Sequence, residues 1–266
     1  MTQSTRWLQS EIADRMLQKL DIVKLDPRDI LLIPDFSGAH ADFLNKRFQK
    51  TAFHSHIEEG LSKLEFWQLK IARNWRALLR GGSSASFNRI QSAGRIDLPD
   101  NSVDLIFSDL LIQDLPDPKL FLRECRRVLR EGGLLSFSYL GPDTAKELQT
   151  IAGSEHLALK ALLSPWDMHD MGDALVGERF SDPVMDMEMI RLDYESDALM
   201  LSDARALQLI EVPQIGNSSF ELPKKLTLEV VYGHAWVLGK HLSTSDNQLA
   251  YIDPKQIKRN TSSDSN

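Results

Sequence analysis

The sequence predicts an α/β domain built on a mainly parallel central sheet. Short apolar runs alternate with amphipathic helical stretches over the first 145 residues or so. Turn chemistry separates them, and a strongly β-rich segment, LTLEVVYGHAW, follows late in the chain. Strands alternating with helices imply crossover connections and a sheet covered on both faces.

Composition fits this class. The 266 residues are 42% hydrophobic and 26% charged, enough apolar mass for a real core and too much for a disordered chain. Thirty-one basic residues against 38 acidic ones give a net charge of -7, so no global basic field recruits nucleic acid or anionic lipid. Neither is expected as a partner. The single cysteine, Cys125, cannot pair within the chain or build a multi-thiolate metal site, and it reads as a buried structural thiol. No apolar run reaches the roughly 18–20 residues of a spanning helix, and the N-terminal segment lacks a secretory apolar stretch, so the expected location is the cytoplasm.

Residues 8–25 carry Leu8, Ile12, Met16, Leu17, Leu20 and Val23 at three- and four-residue steps, which predicts an amphipathic helix. Asp26-Pro27 ends it. Ile30–Ile33 reads as a buried parallel strand, Pro34–Gly38 as a turn, and Ala39 to about Lys50 as a helix. Thr51–His56 is a candidate strand and Glu59–Leu79 a helix with apolar Leu61, Leu64, Trp67, Leu69, Ile71 and Trp75. Phe87–Ile90, Val103–Ser108 and Leu134–Tyr139 are further strands, with a helix over Pro118–Val128. Helices at Thr144–Ile151 and Met168–Val176 precede a strand over Phe180–Glu188. In Leu226–Trp236 one alternating face (Leu226, Leu228, Val230, Tyr232, His234, Trp236) should be buried throughout. The expected organisation is one domain over residues 1–240 (core about 26–145, insert about 150–222, closing strands about 226–238) and a polar tail over 241–266, disordered at Asn260–Asn266.

Four segments carry a family resemblance: VDLIFSDLLIQDLPDPKLFLRECRRVLREGGLLSFSYLGPDTAKEL, LQSEIADRMLQKLDIVKL, DMHDMGDALVGERFSDPVMDMEMIRLDY and LTLEVVYGHAWVLG. The first resembles the centre of class I S-adenosylmethionine-dependent methyltransferases. In this order the four resemble, more narrowly, the malonyl-ACP O-methyltransferases of biotin synthesis. The resemblance implies a Rossmann-like class I methyltransferase fold with antiparallel C-terminal strands and a small helical insert. It also implies S-adenosylmethionine as cofactor and a malonyl thioester on an acyl carrier protein as substrate. Relatives carry an aromatic N-terminal segment and a basic helical cap; the first is expected to be absent or reduced to Trp7, and Ala206–Leu222 is short and poor in basic residues.

Laid on the family's D-x-G-x-G-x-G cofactor loop, DILLIPDFSGAH places Leu32 at the acidic position and Pro34 and Phe36 at the first two glycines. Only Gly38 is retained. Proline fixes φ and removes a donor, and phenylalanine puts a ring where close backbone approach is needed. Ser55 falls near the ribose-binding acid and Ser92 near the adenine-binding one, while Asp109 falls at the reaction-centre end of the fourth strand, where relatives often have Ser-Asn. The cofactor-binding candidates are therefore Gly38, Ser55, Ser92 and Asp109, with no catalytic residue assigned. Two functions follow: a methyltransferase with weak or lost cofactor binding, or a non-catalytic pseudoenzyme that binds or scaffolds a partner such as an active paralogue. His54-x-His56 and His169 with Asp173 read as surface groups, with no metal site expected. Arg123, Arg126, Arg127 and Arg130 form a basic stripe that is either a solvated helix face or a contact for an acidic partner.

Overall fold

The computed structural model describes residues 3–35, 39–57, 62–80, 86–89, 95–149, 166–210, 222–238, 243–246 and 249–252. The helices are α1 (Gln3–Lys19), α2 (Ala39–Leu44), α3 (Lys63–Arg80), α4 (Pro118–Val128), α5 (Lys146–Gln149), α6 (Met168–Gly177) and α7 (Asp197–Ala206). The strands are β1 (Asp29–Leu32), β2 (Ala52–Ile57), β3 (Ser86–Arg89), β4 (Val103–Ser108), β5 (Leu129–Leu140), β6 (Ser181–Asp193), β7 (Lys225–Trp236), β8 (Ser243–Asp246) and β9 (Leu249–Ile252).

One sheet runs in the order β3-β2-β1-β4-β5-β7-β6. Pairing is parallel from β3 to β5, and β7 lies antiparallel to both β5 and β6. Side-chain alternation sends strand residues to two separate apolar layers. Ile30, Leu32, Leu105 and Phe107 meet Leu8, Ile12 and Met16 of α1 on one face. Leu31, Ile106, Leu135 and Phe137 meet Phe121, Leu122 and Cys125 of α4, with Met171 and Leu175 of α6, on the other.

Local chemistry sets several boundaries. Ser62 and Glu65 form a capping box on α3: each backbone N–H donates to the other's side chain, at 2.8 and 3.2 Å. Asp117 caps α4 by accepting from the Leu120 N–H at 3.1 Å, with Pro118 in the first turn. Gly132 stands at φ +81 between α4 and the inner part of β5, a conformation a side chain would strain. At Gly233 a Cβ would overlap the Phe137 ring, so glycine is required by the approach of β7 to β5.

Four expectations change. The stretch read as an insert contributes β6, a 13-residue edge strand of the main sheet, and α7. α2 is much shorter than the helix read to Lys50, because the chain enters a turn after Leu44. β7 is buried on both faces where it is central: Glu229, Val231, Gly233 and Ala235 are enclosed as well as the expected row, while Trp236 itself is only half-buried against the core. Within the segment read as a polar tail, β8 and β9 pair antiparallel; Asn260–Asn266 lies outside the described residues.

Candidate functional site

Parallel strands deliver their carboxyl ends, and the loops after them, to one side of the sheet. There β1 leads into Asp35, β2 ends in Ser55–Ile57, and β4 ends in Ser108 and leads into Asp109. In an open α/β sheet this edge, where the strand order reverses, is the position of a ligand crevice.

The fully buried Asp35 organises the first of these ends. Its backbone N–H donates to the His56 carbonyl at 2.7 Å, tying β1 to β2. Its Oδ1 accepts from the backbone N–H of His40 at 2.9 Å and of Ala41 at 3.4 Å, anchoring the start of α2. Its Oδ2 accepts no hydrogen bond and has the Arg73 guanidinium 3.7 Å away. Arg73 comes from the sheet-facing side of α3, reaches Asp42 at 3.6 Å, and lies over the Phe87 ring.

The second end holds Asp109. Its Oδ2 bonds His40 Nε2 at 2.9 Å, and its Oδ1 accepts from the Ser138 hydroxyl at 2.6 Å. The next residue, Leu110, adopts φ 50, a left-handed conformation costly for leucine. The Ser138 carbonyl and hydroxyl hold it, both accepting from the Leu110 N–H at 3.1 Å. A continuous buried chain thus runs Arg73–Asp35–His40–Asp109–Ser138. Burial pushes the His40 pKa down, but the hydrogen bond to Asp109 and the charges of Asp109 and Asp35 overcome it, leaving the pKa raised.

Around this chain lie buried polar atoms without hydrogen-bond partners: the hydroxyls of Ser55 and Ser108 and the Nε2 of His56. Burial lowers the His56 pKa to about 4, with Asp97 opposing and His54 assisting.

Of the four candidates, Ser55 and Asp109 both lie at this edge; Gly38 and Ser92 are outside the described residues. Asp109 is fully buried, its two oxygens engaged with His40 and Ser138 in the protein interior. Leu32 is completely buried in the apolar layer beneath the edge. Nor is His56 the surface group expected of the pair, since it is buried; its neighbour His54 lies 3.5 Å from Asp29. Among the described residues no group of three or more His, Cys, Asp or Glu could hold a metal ion. The Cys125 thiol is buried, and burial pushes its pKa up.

The arginine stripe is bonded within the chain on a partly exposed helix face. Arg123 pairs with Glu178 at 3.0 Å, Arg126 donates to the Arg179 carbonyl, Arg127 bonds Asp100 and Glu124, and Arg130 bridges Asp29 and Asp104. Arg73, His40 and Ser138 were not singled out in the sequence. One signal existed for Arg73: it continues the Phe66 and Leu69 face of α3, where a charge on the core side demands a partner.

The strand order and the antiparallel β7 define a protein of the class I methyltransferase fold. YcgJ of Bacillus subtilis matches with TM-score 0.58 at 11% identity, over 87% of this chain and 100% of that one. A protein of Bacillus halodurans described as "a putative methyltransferase" matches with TM-score 0.57 at 13% identity, over 86% and 100%. Residues 62–137 match the family described as "Methyltransferase domain". Malonyl-[acyl-carrier protein] O-methyltransferase 1 of Coxiella burnetii is 33% identical over 246 residues, 85% of this chain and 79% of that protein. The Methylovorus malonyl-[acyl-carrier protein] O-methyltransferase is 32% identical, over 96% and 90%. The chain belongs to the malonyl-[acyl-carrier protein] O-methyltransferase family.

Proposed function

We propose that this family member binds its methyl donor, S-adenosylmethionine, weakly or not at all, and that it uses the fold as a binding platform. The observation that carries the reading is the buried chain Arg73–Asp35–His40–Asp109. The one carboxylate in the loop after β1 already anchors α2 and faces an internal guanidinium, so its charge is committed within the protein. The position where the family pattern has an acid is Leu32, sealed in the core. Ser55 offers the ribose a neutral hydroxyl in place of a carboxylate, a weaker acceptor. The residues present do not fit the donor well. The partners of this reading are an acyl carrier protein bearing a malonyl thioester or an active paralogue, in the cytoplasm.

A second reading keeps catalysis: O-methylation of a malonyl-acyl-carrier protein, the activity the relatives are named for, which in this reading falls on the free carboxyl of the malonyl group. Identity of about a third with named relatives, running over nearly the whole chain, favours it. Calorimetry with S-adenosylmethionine and S-adenosylhomocysteine separates the two. The first reading expects no heat of binding at tens of micromolar protein; a dissociation constant in that range or tighter, roughly -6 kcal/mol, overturns it.

A further inference from the structure

α3 is apolar on two sides. Phe66 and Leu69 pack against the sheet, which accounts for one. On the other, Leu64, Trp67, Ile71, Trp75, Leu78 and Leu79 follow helical spacing, yet they are 54 to 77% exposed. From Leu64 to Leu78 the row extends about 21 Å along the axis. Scattered exposed apolar residues are ordinary, but a continuous row with two tryptophans marks an interaction surface. Besides the buried Arg73, which faces Asp35, the same helix carries Lys63, Lys70, Arg76 and Arg80 against a single acid, Glu65, in a chain whose net charge is -7. Lys70 lies beside the row, its ammonium 5.0 Å from the Trp67 ring.

We propose that α3 lies flat on an anionic lipid surface, with the Leu64–Leu79 row in the interface and its lysines at the headgroups. Charge complementarity selects this occupant. A second copy would bring two basic helices together. The lipid surface takes a convex row of indole and aliphatic groups flanked by ammonium, with the tryptophans at the depth that suits an amphipathic ring. The negative whole-chain charge hides this local excess. No described helix is long and apolar enough to cross a membrane. Lying on the surface makes no such demand.

The test is co-sedimentation of the full chain with vesicles of phosphatidylcholine and phosphatidylglycerol in equal parts, beside pure phosphatidylcholine. Binding at least tenfold tighter to the mixed vesicles is expected, weakening as salt is raised, with a blue shift of tryptophan emission. The triple substitution Trp67→Ser, Ile71→Ser, Trp75→Ser should lower binding at least tenfold with an unchanged melting temperature, since all three residues are exposed. Lys70→Glu should weaken it severalfold with the apolar row intact. Equal binding to both vesicles, no binding to either, or undiminished binding by the triple variant overturns the proposal. So does binding to an acidic acyl carrier protein that the same substitutions abolish while vesicles are ignored, which would assign the face to a protein.

Discussion

Between β4, β5 and β7 the two faces of the sheet are filled mainly by Phe107, Phe137, Tyr139, Tyr232 and Val231, packed in two apolar layers. At the carboxyl ends of β1 and β2 the buried groups are instead Asp35, His40, Ser55 and His56. The first region keeps the family's segments nearly in order, including Gly233 where nothing larger fits against Phe137. The second is where the sequence reading places Leu32, Pro34, Phe36 and Ser55 against the family's expected cofactor pattern. Apolar packing is judged by volume and survives as long as volume is kept. A buried charge network is judged by completeness, because one missing partner leaves an uncompensated ion. The two regions therefore answer to different constraints within one domain, and the proposed loss of donor binding concerns only the second.

The comparison is broken most directly by removing one ion. Arg73→Met leaves the buried Asp35 without its guanidinium and should cost about 3–5 kcal/mol. Arg73→Met combined with Asp35→Asn should cost less than Arg73→Met alone. Urea denaturation of the variants decides it, and a double variant less stable than Arg73→Met would mean that Asp35 and Arg73 act separately.

In the apolar region Phe137→Ala should also cost about 3–5 kcal/mol, the range for a fully buried aromatic. Gly233→Ala should cost about 1–3 kcal/mol by overpacking. Because the added methyl meets the Phe137 ring, pairing Gly233→Ala with Phe137→Leu should fall below the sum of the two single costs. Additive costs would separate the two positions.

Acid should act through buried histidines. Burial holds His56 at about 4, and burial with the Lys19 charge holds His234 at about 4. In the unfolded chain each takes a proton below about 6.5, so between 6.5 and 4 the unfolded state binds more protons and stability falls as the pH is lowered. From pH 7 to 5 the loss should be about 2 kcal/mol for each. His40 runs the other way: its raised pKa contributes stability that is full below about 6.5 and is lost as pH rises through the folded value. His56→Gln should flatten the acid slope in denaturation midpoints measured from pH 7 to 5. An unchanged slope would show that His56 does not control it.

The strands were readable because their signals are local. Val103–Ser108 and the two ends of α4 follow from apolar runs and from Asp117-Pro118. The site was less readable, because its members lie far apart in sequence. Asp109 was found by its place after the fourth strand, but the bond from its carboxylate to His40, 69 residues earlier, follows no sequence spacing. The reading of Leu64, Trp67, Ile71 and Trp75 as apolar helix positions was sound in period. It could not say that the sheet takes only Phe66 and Leu69. Period identifies a face; only the neighbouring elements decide which face is covered.

Two tryptophans make the finest comparison. Both occupy apolar rows, Trp236 on β7 and Trp67 on α3, and sequence alone ranks them alike. Trp236 packs half-buried against the core layer of α1 and β7. Its replacement by alanine should cost about 2 kcal/mol, below the roughly 3–5 kcal/mol of a fully enclosed ring. Trp67 keeps 56% of its surface in solvent, and its indole touches Phe66 edge-on within the same helix. Removing it deletes little tertiary contact, so Trp67→Ala should shift stability by no more than about 0.5 kcal/mol. Thermal melts of the two variants give the ranking directly. A Trp67→Ala loss as large as that of Trp236→Ala would mean that the α3 row is covered within the folded chain and is not a surface at all.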